Sequence, residues 1–203
     1  MAFTPSPTRA VRAAREMPGI VDFEGPVVDA AAADPELLVS GLTACIGTDQ
    51  AMLDLVPALV DAGCRIRVFE DRPRLVLPDG LGLPGRAGTV RALASATAQV
   101  RRATAGVPAP ALVRRALAEE QVRLERRAGS LHRHRHLHDR WLRRQLTPSP
   151  HDDRPPLHGD AFYRVLGSGQ VPLISWPIAK VTAHGVRTCD GLEHRVDAIV
   201  VAR

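Results

Sequence analysis

Apolar and polar positions in the first half of the chain follow the pattern of a strand, a helix and a second strand. Thr43–Ile46 is predicted to be a short buried strand, and Cys64–Glu70 alternates as a half-buried strand does. Between them, Asp49–Asp61 shows the apolar spacing of one helix face, and Gly63 supplies a stop signal. The apolar side chains of that face are Met52, Leu55, Val56 and Leu59. This order is the frame of a dinucleotide-binding unit.

The second half of the chain changes from helical to strand patterns. Helices are predicted over Thr89–Ala105 and Ala109–Gln145, the second of them long and heavily charged. Several short strands follow, with turns at 183–185 and 190–191. Ala198–Ala202 is wholly apolar, as is typical of a central strand in a parallel sheet.

The order of these elements predicts an α/β fold. Strand–helix–strand at the front and a β-meander at the back indicate one Rossmann-like domain. We expect that domain to span residues 38–182, with a long helical insertion at 89–145. Residues 1–37 would form an N-terminal linker or arm, and residues 183–203 a C-terminal hairpin and strand.

Composition narrows the classes of function without identifying one. The apolar fraction of 45% supports a core, and the net charge of +5 is carried almost wholly by arginine. These arginines are interleaved with acidic residues, which indicates coding bias and argues against a nucleic-acid partner. The cysteines, Cys45, Cys64 and Cys189, show no metal-ligand spacing, which favours buried thiols in a reducing compartment. Because no apolar run reaches membrane-spanning length, we expect a cytoplasmic protein without membrane contact.

The turn after the first strand carries the candidate dinucleotide site. A working turn has small residues where the backbone approaches the pyrophosphate and where the helix packs on the strand. Here Gly47 is kept, but Asp49 occupies the second position and Met52 the third. A carboxylate at the helix start would cap its own N–H groups and repel phosphate. One hypothesis is a retained site at Gly47, Thr48, Asp49 and Gln50, and the other is a turn kept only for packing.

The end of the second strand, Glu70-Asp71-Arg72, bears on the choice between NAD and NADP. In such folds an acid accepts from the ribose 2′-OH of NAD, whereas an arginine pairs with the 2′-phosphate of NADP. Glu70 and Asp71 therefore disfavour NADP, although Arg72 could reach a phosphate. If a nicotinamide cofactor binds, NAD is at least as well suited. The alternative is a solvated charged turn that holds no ligand.

Several segments, in order along the chain, resemble the class B flavoprotein monooxygenases, the Baeyer–Villiger and flavin-containing monooxygenase group. The segment leading into that family's fingerprint resembles MPGIVDFEGPVV, and its second dinucleotide turn resembles GLTACIGTDQAMLDLVPAL. The strand and loop that follow resemble VFEDRPRLVLP, and the helix end before the active-site loop resembles DRWLRRQLTP. The hairpin and strand that return to the flavin domain resemble GVRTCDGLEHRVDAIVVA. The resemblance runs from about Met17 to Ala202.

This sequence also differs from the family pattern, and the differences limit what the resemblance implies. The family begins with a flavin-binding glycine turn that this sequence does not contain. The resemblance therefore implies a nicotinamide-binding domain lacking most of the flavin domain, with FAD only if a partner supplies it. Within the fingerprint, Phe23 and Gly25 match, but Asp29 stands for a histidine and Ala33 for a tryptophan.

The active-site loop of the resembling enzymes carries a Lys-Arg pair, in which the arginine faces the flavin peroxide. Arg154 matches that arginine and is the catalytic candidate by resemblance, whereas Asp153 reverses the charge of its neighbour. With no flavin site in the sequence, Arg154 is expected to pair locally with Asp152 or Asp153.

Four alternating histidines lie in the second half of the long predicted helix. They are His132, His134, His136 and His138. The first and third share one helix face, and the second and fourth share another. A firm metal site needs a third ligand, for which Asp139 and His151 are the nearby candidates. We expect a solvated helix face and no bound metal.

Three functions follow as alternatives. The first is a degenerate, stand-alone homologue of the nicotinamide domain, without independent catalysis, with no tightly bound cofactor and with weak NAD(P) binding at most. The second is a component of a split FAD- and NAD(P)H-dependent monooxygenase that acts with a flavin-domain partner. The third is an interaction or regulatory module, because an uncovered apolar surface favours a homo-oligomer or a protein partner.

Overall fold

A five-stranded, fully parallel sheet flanked by helices forms the centre of the computed structural model, which describes residues 17–79 and 111–202. This architecture confirms the predicted α/β class. The strands are β1 (Val27–Asp29), β2 (Leu42–Ile46), β3 (Arg65–Phe69), β4 (Val76–Leu77), β5 (Leu157–His158), β6 (Leu173–Ile174), β7 (Ile178–Thr182), β8 (Gly185–Thr188), β9 (Glu193–Arg195) and β10 (Ala198–Val201). The helices are α1 (Gln50–Asp61), α2 (Ala111–His136), α3 (Arg140–Gln145) and α4 (Asp160–Gly167).

The central sheet has the strand order β1-β10-β2-β3-β6. The last strand of the chain, β10, therefore inserts between the first two, with Val200 opposite Val28 on one side and Cys45 on the other. All four residues of β10 are buried, which confirms the expectation of an apolar central strand. The smaller β4 and β5 pair parallel to each other beside this sheet.

Alternating side chains divide the sheet between two apolar cores. Cys45 and Val200 point to the face covered by α1 and α4. Ala44 and Ile199, their neighbours in sequence, join Val186 of the meander on the opposite face. The period of two along each strand thus produces three layers, with helices, parallel sheet and antiparallel strands in that order.

The helix α1 buries the face that its apolar spacing predicts. Met52, Val56 and Leu59 are fully buried against the sheet, and Gly63 ends the segment with φ near 80°. A left-handed residue just beyond a helix is most easily glycine, because glycine has no Cβ to clash.

The long charged helix is interrupted where the sequence pattern predicts continuity. The prediction of one helix over 109–145 is wrong, because α2 ends at His136 and α3 begins at Arg140. Leu137 turns fully into the core, and the Asp139 carboxylate accepts a hydrogen bond from the Trp141 backbone N–H at 2.7 Å. The new cap starts a new helix. The helix predicted over Thr89–Ala105 lies outside the described residues.

The C-terminal segment forms the predicted β-meander. The strands β7, β8 and β9 pair antiparallel, and the turns at 183–185 and 190–191 lie where the sequence indicates. Close packing explains Gly185, since a Cβ there would lie 2.2 Å from the His194 carbonyl oxygen. Across the described residues, no helix has both the length and the apolar character required to cross a membrane.

Candidate functional site

The candidate dinucleotide turn lies where β2 ends and α1 begins, at the carboxyl edge of the parallel sheet. Gly47 adopts φ of 77° and donates its N–H to the Phe69 carbonyl oxygen at 2.9 Å, which ties the turn to the end of β3. Ligands of open α/β sheets bind at this edge, beside the helix N-terminus. The fold therefore places the turn where a pyrophosphate would be expected.

The side chain of Asp49 occupies the start of α1. Its Oδ1 accepts a hydrogen bond from the Met52 backbone N–H at 2.8 Å, so the residue is the helix N-cap. The predicted cap is confirmed. A carboxylate at this point takes a donor that would otherwise face an anion, and it adds negative charge there.

Met52, in the position where a small residue is expected, is fully buried in the core between α1 and the sheet. Its thioether side chain fills the space that a small residue would leave for closer approach of helix and strand. Met52 therefore contributes to the packing of α1 on the sheet at the position where a dinucleotide-binding turn has a small residue.

Glu70, at the end of β3, points into the protein and not into solvent. One carboxylate oxygen accepts from the Thr48 hydroxyl, and the other accepts from the Arg72 backbone N–H at 2.9 Å. Only 5% of the residue is exposed, and burial raises the pKa of its carboxyl, although the two hydrogen bonds act in the opposite direction. The solvated-turn hypothesis therefore fits Asp71 and Arg72, which are exposed, but is wrong for Glu70.

The side chain of Gln50 is also engaged within the protein. Its amide nitrogen donates to the His158 carbonyl oxygen at 2.7 Å, and its amide oxygen accepts from the His158 N–H at 3.0 Å. This pair of bonds joins the first residue of α1 to β5. The contact spans 108 positions and has no signal in the local sequence pattern.

Arg154 pairs with its neighbour, as predicted. Its Nε and Nη2 donate to the two oxygens of Asp152 at 2.8 and 3.0 Å, and Nη2 also donates to the Arg72 carbonyl oxygen at 2.9 Å. This pairing lowers the pKa of the Asp152 carboxyl. Because the side chain of Arg154 is 46% exposed, the ion pair contributes little to the stability of the fold. It does orient the guanidinium towards Asp152 and the Arg72 carbonyl oxygen.

Two further arginines hold the loop that contains Arg154. Arg126 of α2 donates to the Pro150 carbonyl oxygen at 2.7 Å, and Arg74 donates to the Pro155 carbonyl oxygen at 2.6 Å. Between this loop and the end of β3 lies an open cavity of about 500 Å³. Its lining includes Arg72, Asp71, Thr147, His151, Asp152 and Arg154.

The histidine-rich stretch is not a solvated face throughout. His132 is buried, with Nε2 3.2 Å from the Gly159 carbonyl oxygen and Nδ1 3.5 Å from Oδ1 of Asp160. His136 lies beside it, and burial together with His132 lowers the pKa of its imidazole.

The third potential metal ligand beside His132 and His136 differs from the residues that the sequence predicts. Asp139 and His151 are the candidates that the sequence offers for a third ligand, and this prediction is wrong. The carboxylate that lies with His132 and His136 is that of Asp160. Asp160 opens α4 and meets α2 only through the tertiary fold.

The positions of His134 and His138 also differ from the prediction. His138 lies beyond the end of α2, so it does not share a helix face with His134.

Cys45 and Cys64 are buried as expected, but Cys189 is exposed. The prediction of buried thiols is therefore wrong for Cys189.

Comparison with known proteins identifies the fold but no close relative. No protein-family model matches the chain, and no curated protein matches it by sequence. Among solved structures, an open form of cyclohexanone monooxygenase matches at a TM-score of 0.62 with 21% identity, over 92% of this chain and 44% of that chain. A steroid monooxygenase bound to NADP matches at a TM-score of 0.62 with 18% identity, over 99% of this chain and 44% of that chain.

A third match is the cyclohexanone monooxygenase from Rhodococcus sp. Phi1 bound to NADP+, at a TM-score of 0.61 and 19% identity, over 100% of this chain and 44% of that chain. This chain thus spans less than half the length of the structures it matches. Its mixed α/β fold is the fold of the nicotinamide-binding domain of these monooxygenases.

Proposed function

We propose that this chain is a homologue of the nicotinamide-binding domain of flavin-dependent monooxygenases whose dinucleotide turn is closed by its own side chains. In this proposal it does not catalyse a reaction by itself. The observation that carries the proposal is the engagement of the turn within the protein. Thr48 donates to Glu70, Asp49 accepts from Met52, and Gln50 bonds the backbone of His158.

The residues present do not fit a tightly held pyrophosphate. A phosphate at the start of α1 would compete with Asp49 for the Met52 N–H and would face the Asp49 charge. It would also lie near the buried Glu70 carboxyl, whose oxygens are already used by Thr48 and Arg72. Each displaced hydrogen bond costs about 0.5–1.5 kcal/mol, and charge repulsion adds to that cost.

The same residues support a preference for NAD over NADP in whatever binding remains. Glu70 and Asp71 would oppose a 2′-phosphate, and Arg154, whose charge acts on Glu70, already pairs with Asp152. Arg72 is exposed at this edge and is the side chain that could offset part of the repulsion. The proposal is therefore weak NAD(H) binding and weaker NADP(H) binding.

Calorimetric titration with NADH and NADPH, run beside an absorption spectrum of the purified protein, tests the proposal. We expect dissociation constants above about 0.1 mM for both nucleotides and no flavin band. Binding of NADPH at low micromolar concentration would show that the turn is not closed. A stoichiometric flavin spectrum would contradict the absence of independent catalysis.

A second candidate is a role with a partner that carries the flavin. This chain spans 43–44% of the length of several monooxygenases whose structures it matches. One matched structure is an FAD-bound form of OTEMO. A partner would also cover exposed apolar side chains, among them Val21 at 83% and Trp176 at 56%.

Expression of the tagged chain in its own host tests this second candidate. The purified assembly should carry a second protein with a flavin spectrum and should oxidise NADH. A homo-oligomer by light scattering, without flavin, would favour the interaction module. A monomer that carries no flavin would contradict both.

A further inference from the structure

A cluster of three potential metal ligands joins the end of α2 to the start of α4. His132 and His136 lie one helical turn apart, and Asp160 is the first residue of α4. One ligand atom from each residue lies within 4.8 Å of those from the other two. The cluster shares no residue with the dinucleotide turn, and the proposed function does not use it.

Hydrogen bonding around His132 defines which ring nitrogen carries a proton. Nε2 lies 3.2 Å from the Gly159 carbonyl oxygen, which can only accept, so this nitrogen is the donor. Nδ1 then faces Oδ1 of Asp160 at 3.5 Å, and a carboxylate can also only accept. An acceptor nitrogen and a carboxylate oxygen that face each other at this distance can both bind one metal ion.

Neighbouring side chains hold the His132 ring in an orientation that suits metal binding. Its side chain is 3% exposed, and its ring packs between His136, with centroids 4.9 Å apart, and Tyr163, at 5.2 Å. Metal-bound histidines commonly donate the other ring N–H to a backbone carbonyl, as His132 does to Gly159. The partner that orients a ligand is therefore already present.

The separation between the ligand atoms of His132 and Asp160 fits a tetrahedral ion. Bonds of about 2.1 Å from zinc to nitrogen or oxygen require ligand atoms about 3.4 Å apart, close to the 3.5 Å between His132 and Asp160. His136 and Asp160 are partly exposed, so water can reach the fourth position. Three protein ligands and one open position are typical of zinc sites that are not closed structural cages.

We propose that His132, His136 and Asp160 form a zinc-binding site that ties α2 to α4. Two imidazoles and one carboxylate suit zinc better than magnesium or calcium, which prefer oxygen ligands. The guanidinium groups of Arg135 and Arg164 act on His136 and oppose a cation there. The site therefore binds zinc less tightly than a zinc finger does.

Titration with zinc after chelator treatment tests the site, with calorimetry for affinity and thermal unfolding for stability. The full chain should bind one zinc ion per chain with a dissociation constant below about 10 µM and a raised Tm. Magnesium and calcium at the same concentration should leave the Tm unchanged. His136→Gln and Asp160→Asn each remove one ligand and should weaken zinc binding by roughly 100-fold.

His134→Gln is the matched control, because His134 lies on the same helix, is exposed, and contacts the Ser130 carbonyl oxygen at 2.8 Å. It should leave the zinc affinity unchanged. Failure of the full chain to bind zinc would overturn the proposal. Equal loss in His134→Gln and His136→Gln would also overturn it, since the ion would then bind surface histidines.

Discussion

Asp49→Asn is the substitution that most directly tests whether the dinucleotide turn is closed by charge. Asparagine caps a helix about as well as aspartate, so the hydrogen bond from Met52 can remain. The helix loses only the interaction of the carboxylate with its dipole, about 0.3–1 kcal/mol. The charge that faces a bound pyrophosphate is removed while the backbone of the turn is preserved.

The expected gain follows from the position of the carboxylate. Asp49 Oδ1 lies 2.8 Å from the Met52 nitrogen, so a phosphate bound to the same helix start would lie about 4 Å from it. At that separation two unit charges repel by about 1 kcal/mol in bulk water and about 4 kcal/mol near a protein surface. The dissociation constant for NADH should therefore fall by at least about fivefold, and by up to about three decades.

Calorimetry with NADH provides the measurement, and Asp34→Asn provides the matched control. Asp34 also caps a short helix, accepting from the Glu36 N–H at 3.0 Å, and its neighbour Pro35 contacts Cys64, beyond the far end of α1 from the turn. Its substitution should leave NADH binding unchanged. The difference between Asp49→Asn and the unmodified protein should narrow at high salt, because salt screens charges near the surface.

Two outcomes would refute this reasoning. If Asp49→Asn folds normally and binds NADH no more tightly than the unmodified protein, charge at the helix start is not the barrier. If Asp49→Gly with Met52→Ala also fails to bind, the obstruction lies in the contacts of Glu70 or Gln50. That double variant needs a stability check, because truncation of a buried methionine costs about 2–5 kcal/mol.

Three further predictions concern stability and reactivity. Because burial raises the pKa of Glu70 in the folded state, the free energy of unfolding should fall as pH rises from about 4.5 through that pKa. Glu70→Gln should remove this fall in urea titrations across that range; an unchanged pH profile would contradict it. Gly19→Ala should cost more stability than Gly63→Ala. Both glycines have φ of 80°, but a Cβ at the first would lie 2.2 Å from a carbonyl oxygen of β7, whereas the second faces open space. Burial and a neighbouring thiol raise the pKa of Cys45 to about 12, so a thiol reagent at pH 8 should label Cys189 first. Rapid labelling of Cys45 in the folded protein would argue against its burial.

Local features of the fold could be predicted from the sequence because they depend on neighbours along the chain. The spacing of Met52, Val56 and Leu59 predicts the buried face of α1, and Asp49 is placed to cap it. The glycine turns predict the β-meander. Local pairing of Arg154 with Asp152 is likewise a contact between residues two positions apart.

The state of the candidate site was decided by contacts between distant segments. The inward turn of Glu70 towards Thr48 joins positions 22 apart, and the bonds of Gln50 to His158 join positions 108 apart. Periodicity along a strand or helix carries no information about such partners, because they depend on how the layers pack.

The same limit explains the break of the long helix and the third potential metal ligand. The spacing of four between His132 and His136 predicts that they share one helix face. Only the packing of α4 against α2 could bring Asp160 to them, and only the core could draw Leu137 inward and end α2 at His136. The sequence by itself thus determined the elements and their apolar faces. The tertiary structure decided which polar side chains meet, because each meeting depends on segments that fold together from far apart.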